Sequence, residues 1–327
     1  SSSVDFDPST ENSFIINLKG RDASNDHHHY ATAGTISGTA VTLGTEIDIS
    51  FCTASDYLNR TRGYFNPSQA GQVVVVSGNY DGASCAGGSY RQLEIKVLTV
   101  SGTTVTHVSS AIVNTAEAGK VDLSWDKVTA NKGYMWASLT SNYPNVIPFT
   151  MSGNTVTLGT AQVINSASSG EHHMGACLAE EGRLVSIYKD GNNIEVAVGN
   201  DSSTGAGGTI TWGTSVEVAN YVDEGNHLLL YPTVGTDINP PDKIFMGYNI
   251  PVSVSSSRWR VGTVSGTNTV TLDAGYTHIL TSPASPALTK TIVADPFNPG
   301  LFYTAHSHTG DSYKAKIVGS QVASFEL

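Results

Sequence analysis

The sequence predicts an all-β chain, a six-bladed β-propeller of four-stranded antiparallel blades, and three observations predict it. Ser, Thr, Asn and Gly stand where charged and helix-favouring residues usually stand. One strand–turn–strand unit recurs six times. Each copy is preceded by a strongly apolar run bounded by turn residues.

Aliphatic, aromatic and cysteine residues make up 39 % of the 327 residues, enough to bury a core. Charged residues make up 14 %, against about 25 % in a typical soluble protein. No stretch has the Glu, Lys, Leu and Ala richness that a long solvent-facing helix requires. The formal net charge of -11, with no cluster of Lys and Arg, argues against nucleic acid and anionic membrane surfaces as partners. No apolar run approaches the ~20 residues of a membrane-spanning helix, so no membrane insertion is expected. The chain starts at Ser1 with no initiator Met and no signal-like apolar segment, the pattern of a processed form. Cys52, Cys85 and Cys177 share no metal-site spacing. They are either one disulfide with an odd thiol or three small buried apolar residues.

The recurring unit is a strand, a Ser-Gly-Thr-like turn, and a second strand that often ends in Gly-Thr. It is written out fully at 33–45, 97–106, 149–160 and 261–272, and in degenerate form at 207–214 and 315–322. The turn glycines are read as Gly38, Gly102, Gly153, Gly208, Gly266 and Gly319, at intervals of 64, 51, 55, 58 and 53 residues. A blade of four short strands occupies about 40 to 50 residues plus loops. The single domain, 1–327, thus divides into repeats at 1–50, 51–113, 114–165, 166–220, 221–280 and 281–327.

Before each copy lie a short strand, a turn rich in Asp, Asn, Pro and Gly, and an apolar strand. Asp7-Pro8 precedes Phe14-Ile15-Ile16, Asn66-Pro67 precedes Val73-Val74-Val75-Val76, and Asp295-Pro296 precedes Leu301-Phe302-Tyr303. Each repeat thus reads as strands A, B, C and D in up-and-down order. Pro fixes φ near −65° where the chain reverses between A and B, and Gly supplies positive φ between C and D. Strand B is continuously apolar rather than alternating, as a strand covered on both faces must be. A β-sandwich also has many short strands, but it has no need to repeat one four-strand unit six times. The first repeat opens on strand A, and the sixth is expected to end on strand D at Phe325 to Leu327, with no strand exchanged between terminal blades.

The strand–turn–strand unit, with Val-Ser-Gly-Thr and a trailing Gly-Thr, resembles the propeller repeats of bacteriophage tail and virion proteins and of related secreted bacterial proteins. The resemblance spans all six repeats and implies a propeller on a particle or cell exterior. It carries over no catalytic residue. The third repeat departs from it by lacking the A–B Pro, and the sixth by lacking the trailing Gly-Thr.

In up-and-down order the A–B and C–D turns share one end of every sheet, and the B–C and D–A connections share the other. The first set is short. The second is long and varied, at 20–30, 77–90 and 249–258 for B–C and at 53–63, 166–173, 218–227 and 276–290 for D–A. Variable loops on a repeated scaffold are where ligands bind. Sugar recognition needs an aromatic platform with planar polar groups around it. Tyr30, Tyr57, Tyr90 and Trp259 lie in or beside these loops, with Arg60, Arg62, His172, His173 and His227, and form the expected ligand-binding set. Trp125, Trp136 and Trp212 sit inside strand patterns and are assigned to packing. His27, His28 and His29 fall in the first B–C loop and His306 and His308 in the sixth, where imidazoles can hold a divalent metal or serve as hydrogen-bonding loop residues. Consecutive side chains of an extended loop point apart, so one ion does not easily take three adjacent histidines. No other cofactor is expected.

Catalytic signatures are missing. There is no Ser-x-Asp-x-Gly-x-Thr-Trp turn of sialidase-like propellers, no Gly-x-Ser-x-Gly, Walker or His-Glu-x-x-His motif, and no arginine set in register. The expectation is a non-catalytic, extracellular or virion-surface protein that binds glycan or another polar surface polymer and is displayed as a homo-oligomer. The alternatives are a structural decoration protein of a phage particle and a glycoside hydrolase of the sialidase-like kind, which would need two carboxylates across the bond.

Overall fold

The structure, a computed structural model, describes residues 2–21, 27–50, 58–79, 93–113, 121–139, 143–166, 173–220, 230–236, 242–250, 255–273, 277–282, 288–294, 301–308 and 314–321. Among the described residues there are strands, turns and bends but no helix. The first sheet is β1 (Ser2–Phe6), β2 (Ser13–Arg21), β3 (His27–Ser37), β4 (Ala40–Leu43) and β5 (Ile47–Asp48). The second is β6 (Leu58–Phe65), β7 (Gln72–Asn79), β8 (Leu93–Ser101) and β9 (Thr104–Val113). The third is β10 (Val121–Trp125), β11 (Lys132–Ser138), β12 (Pro144–Ser152), β13 (Thr155–Leu158) and β14 (Gln162–Val163). The fourth is β15 (His173–Cys177), β16 (Arg183–Asp190), β17 (Asn193–Asp201), β18 (Ile210–Trp212) and β19 (Val216–Ala219). The fifth is β20 (Leu230–Thr236), β21 (Lys243–Ile250), β22 (Ser255–Ser265), β23 (Thr269–Leu272) and β24 (Thr277–Ser282). The sixth is β25 (Leu288–Ala294), β26 (Leu301–His308) and β27 (Lys314–Gln321).

Every sheet runs in sequence order through antiparallel neighbours, the up-and-down arrangement the repeats predict. Ser2–Phe6 pairs with β2 as a first strand, as expected, while residues 322–327 lie outside the described residues. The outer strand is broken in two in the first, third, fourth and fifth sheets, with both pieces paired to the third strand. In the second sheet it is the single strand β9.

Gly38, Gly102, Gly153 and Gly266 have φ between 54° and 59° in the C–D turns, as their sequence context requires. Two of the turn assignments need correction. In the sixth sheet Gly319 lies within β27, paired with Tyr303, so it makes no turn. In the fourth sheet the tight glycine hairpin joins β16 to β17 through Gly191, φ 56°, and the C–D connection containing Gly208 lengthens to 202–209. That sheet therefore exchanges its long and short connections: Gly191-Asn192 makes a two-residue reversal between the paired residues Asp190 and Asn193.

Packing divides the chain into two compact units. One is Ser1–Trp125, Thr129–Val163 and Thr204–Gly207; the other is Asp126–Val128, Ile164–Ser203 and Gly208–Leu327. In the first unit, strand B of the second sheet shows why its run of four valines is unbroken. Val73 and Val75 face Ile15, Ala31, Ala33 and Ile49 of the first sheet, while Val74 and Val76 face Leu123, Trp125, Met135 and Ile147 of the third. All four valines are at most 1 % exposed. In the second unit Val185, Ile187, Val196 and Val198 pack on Val234, Ile244, Met246 and Tyr248. Cys177 is buried, whereas Cys52 and Cys85 lie outside the described residues.

The short-turn end is bonded from sheet to sheet. Asp7 Oδ1 accepts from the Ser9 amide at 2.8 Å, and Oδ2 accepts from the Gly71 amide of the second sheet at 3.1 Å. At the same place in the second turn, Asn66 Oδ1 accepts from Ser68 N at 2.9 Å. Its Nδ2 donates to Gln72 Oε1 at 2.7 Å and to Asn131 Oδ1 at 2.9 Å. Asp126, packed with the second unit, repeats the device on Val128 N and Gly182 N, both at 2.9 Å. The receiving residues Gly71, Asn131 and Gly182 have φ between 57° and 68°, the left-handed region open to Gly and Asn. The third turn, with Lys127 where the first has Pro8, keeps the same pair of carboxylate bonds. Strand B adds a second link: Gln72 Nε2 donates to Gly153 O at 2.8 Å and Arg183 donates to Gly266 O at 2.7 Å, each reaching the C–D turn of the next sheet.

The trailing glycine of the repeat also has its reason here. A Cβ on Gly44, Gly159 or Gly213 would run into the backbone carbonyl of Thr103, Ala206 or Asn268. In the second sheet, Ser109 occupies the corresponding place and donates its hydroxyl to Asn154 O.

Candidate functional site

With the short-turn end committed to these bonds, the opposite end carries the remaining chemistry. Most of its connections lie outside the described residues, including Tyr57, Tyr90, His172 and His227. Arg60 and His173 fall in β6 and β15, and their side chains lie outside the described residues.

His27, His28 and His29 are not loop residues. They open β3, opposite Arg21, Gly20 and Lys19 of β2, because the hairpin ladder extends further than the polar run suggests. Alternation turns the His28 and His29 side chains to opposite faces. His28 is 6 % exposed, and its Nδ1 shares a 2.6 Å hydrogen bond with Asp48 Oδ2. Its ring stacks on Tyr30, centroids 5.6 Å apart and 20° between planes. Ser50 donates its amide to Asp48 Oδ1 at 2.8 Å. Burial works to raise the Asp48 carboxyl, but the Ser50 hydroxyl and amide and the His28 ring outweigh it and hold the group below its ordinary range. His29 is 2 % exposed and donates its backbone amide to Ser50 Oγ at 2.8 Å. Among the described residues no three His, Cys, Asp or Glu side chains gather as a metal-ligand set. His306 and His308 also sit in a strand, β26, rather than a loop, and their side chains lie outside the described residues.

Two further loop assignments are corrected. Trp259 is in β22, 6 % exposed, with its ring 6.0 Å from that of Phe245, so it is a packing residue. Arg62 is in β6, buried, with Nε 4.0 Å from Asp122 Oδ1 of β10. Tyr64, also of β6, donates its hydroxyl to the same oxygen at 3.2 Å. Burial, reinforced by the Asp122 carboxylate, pushes that hydroxyl well above its ordinary range and keeps it a donor. First strands are joined in the same way one sheet earlier. Ser3 Oγ accepts from Gly63 N at 3.2 Å and Asp5 Oδ2 accepts from Phe65 N at 2.7 Å.

A polar cluster that sequence reasoning missed lies between the first and second sheets at the long-loop end. Glu94 and Lys96 of β8, with side chains 3 % and 7 % exposed, pair at 3.3 Å. Lys96 Nζ also donates to Ser50 O at 3.2 Å, tying the pair to the His28–Asp48–Ser50 network. Burial outweighs the Lys96 charge and pushes the Glu94 carboxyl up to about 7. The signal was present in the sequence. Two charges spaced two apart in the apolar strand Leu93-Glu94-Ile95-Lys96-Val97 must share one face, and in a strand covered on both sides that face is buried.

No protein-family model and no curated protein sequence matches the chain. Solved structures do match it. The BP39L lectin from Burkholderia pseudomallei superposes with TM-score 0.57 at 11 % identity, covering 99 % of this chain and 96 % of that one. The Aleuria aurantia lectin, solved with alpha-methyl-L-fucoside, gives TM-score 0.51 at 8 % identity over 97 % and 90 % of the two chains. A protein from Bacteroides fragilis assigned as a 6-phosphogluconolactonase gives 0.53 at 10 % identity over 95 % and 82 %. At such identities the likeness concerns the fold. The chain is an all-β protein of successive antiparallel sheets whose structural neighbours include β-propeller lectins.

Proposed function

We propose that the chain is a six-bladed propeller that holds a neutral or cationic glycan at its long-loop end without cleaving it, in an extracellular or particle-surface setting. The observation that carries this reading is the asymmetry of the sheets. Side chains and turns at one end are bonded to the next sheet, while toward the other lies the half-buried Tyr30 ring with its His28 and Asp48 neighbours. An aromatic face beside planar polar groups suits a sugar ring. The net charge of -11 disfavours polyanionic polymers. Lectins among the structural neighbours support the binding role, and the lactonase among them makes hydrolysis the rival.

A glycan array run beside a panel of fluorogenic glycosides and lactones tests the reading. Retention of neutral glycans with no turnover is expected. Tyr30→Ala and Tyr90→Ala should each weaken retention about tenfold while leaving the melting temperature near its original value, the loss of one stacking contact. Turnover of any panel member, or an array empty of neutral and cationic glycans, overturns it.

A further inference from the structure

We propose that the buried Glu94–Lys96 pair of β8 is a positioning device that holds the Tyr30 platform from behind, through Ser50 and Asp48. This role rests on the glycan reading of that platform. β5 is two residues long, and its ladder to β3 consists of Tyr30 opposite Asp48 and Ala31 opposite Ile47. So few backbone bonds fix the segment 47–50 poorly, and the contacts added beyond them decide where Asp48 stands. The Ile49 amide donates to His29 O at 2.8 Å, the His29 amide donates to Ser50 Oγ at 2.8 Å, and Lys96 Nζ donates to Ser50 O at 3.2 Å. Of these three, the last comes from the second sheet and carries a charge, which makes it the strongest. Ser50 in turn donates its amide to Asp48 Oδ1 at 2.8 Å, and Asp48 Oδ2 shares the 2.6 Å bond with His28, whose ring stacks on Tyr30. A displacement of the Ser50 carbonyl therefore reaches the aromatic face.

Alternation puts the pair on the side away from the sugar. Glu94, Lys96 and Leu98 stand opposite Ser77, Val75 and Val73 of β7, on the face that packs on the first sheet. His29, Ala31 and Ala33 form the facing row of β3, while His28 and Tyr30 point the other way. Among the described side chains, the titratable groups on the elements around Glu94 that turn toward it are Lys96 and His29. That of Lys19, paired with His29, lies outside the described residues. Thr61 of β6 and Ser77 of β7 are in register with Glu94, and Ser110 of β9 bonds it. The Glu94 carboxyl and the Ser50 carbonyl compete for one ammonium. Protonated, Glu94 leaves Lys96 to Ser50; ionised, it draws Lys96 away. Burial raises Glu94 to about 7, so the exchange falls near neutrality. The platform is held more firmly below neutrality than above it.

Retention of the full chain on a mixed column of immobilised glucose, galactose, mannose, fucose and N-acetylglucosamine tests this one pH unit either side of neutrality, beside the Ser50 amide signal followed by NMR. Native protein is expected to be retained about threefold better at the lower pH, and Glu94→Gln to keep the higher retention at both. Lys96→Met should lose about tenfold at the lower pH, where Glu94 is mostly neutral and its lost partner matters least to folding. The double variant Glu94→Gln/Lys96→Met removes both charges and should show the same loss with a melting temperature near native, which separates positioning from unfolding. The Ser50 amide shift should move across neutrality in native protein and stay flat in Glu94→Gln. A native chain that is not retained removes the glycan reading and this role together. Native retention that Lys96→Met and the double variant leave intact overturns the role alone. So does a native pH profile that Glu94→Gln leaves unchanged, or a native Ser50 shift indifferent to pH.

Discussion

Two glycines meet at one point between the first and second sheets and should respond oppositely to the same pair of substitutions. Gly44 lies against the Thr103 carbonyl, where a Cβ would meet backbone. Gly102, the residue before Thr103, has φ 59° and nothing within 4 Å of its missing Cβ. Gly44→Ala is a packing insult. The obstructing atoms are main chain, so the sheets must separate, and overpacking of this kind costs about 1 to 3 kcal/mol, here near the top of that range. Gly102→Ala is a conformational one. The left-handed penalty of roughly 1 to 2 kcal/mol is partly offset by the lower entropy of the unfolded chain, leaving about 1 kcal/mol. Asn separates the mechanisms, because it tolerates left-handed φ but is larger than Ala. Gly102→Asn should recover most of the loss, whereas Gly44→Asn should be worse than Gly44→Ala. Urea titrations of the four variants at unchanged m-value measure this directly. If Gly44→Ala costs no more than Gly102→Ala, or if Asn rescues position 44, the trailing Gly-Thr of the repeat is not an inter-sheet spacer.

Glu94 makes stability pH-dependent in a stated direction. Its carboxyl is raised to about 7 in the folded chain, so its contribution is complete below the ordinary carboxylate range, declines as pH rises, and levels off beyond about 7. Glu94→Gln should flatten that decline in melts recorded across the range, and a steeper decline in the variant would contradict the burial argument. Asn66 is fully buried and joins Ser68, Gln72 and Asn131. Asn66→Ala should cost about 1 to 3 kcal/mol by thermal or urea unfolding, since it takes a partner from the fully buried Gln72 side chain, and a cost under about 0.5 kcal/mol would remove the turn from the account of sheet order.

The sheet order was legible in the sequence because it rests on local signals. Asx-Pro turns, Ser-Gly-Thr turns and unbroken apolar B strands each specify a hairpin or a doubly covered strand without reference to the rest of the chain. The valines at 73–76 and the turn glycines at 38, 102, 153 and 266 fall where that logic puts them. Edges of elements were harder to read. His27 to His29, Arg62 and Trp259 read as loop residues because polar or aromatic side chains continue into strands whose ladders reach further than the apolar pattern. Gly319 reads as a turn because a lone glycine in a β-rich segment signals reversal only when the partner strand agrees. The Glu94–Lys96 pair escaped notice for the opposite reason: charges suggest solvent, and only the packing of two sheets encloses them.

The turn residues at the short end also write an order of assembly. The first three turns each offer a side-chain group forward, the residues that receive them are left-handed, and the parts are not interchangeable. Asp7 and Asp126 hand over to a backbone amide on glycine, while Asn66 hands over to an asparagine side chain. A copy of one sheet spliced in at another's place would present an amide where a carboxylate is needed, or the reverse. Duplication alone therefore lengthens such a chain badly. A new neighbour fits only after its turn has been rekeyed, so the six divergent repeats behave less like beads than like pieces cut to follow one another.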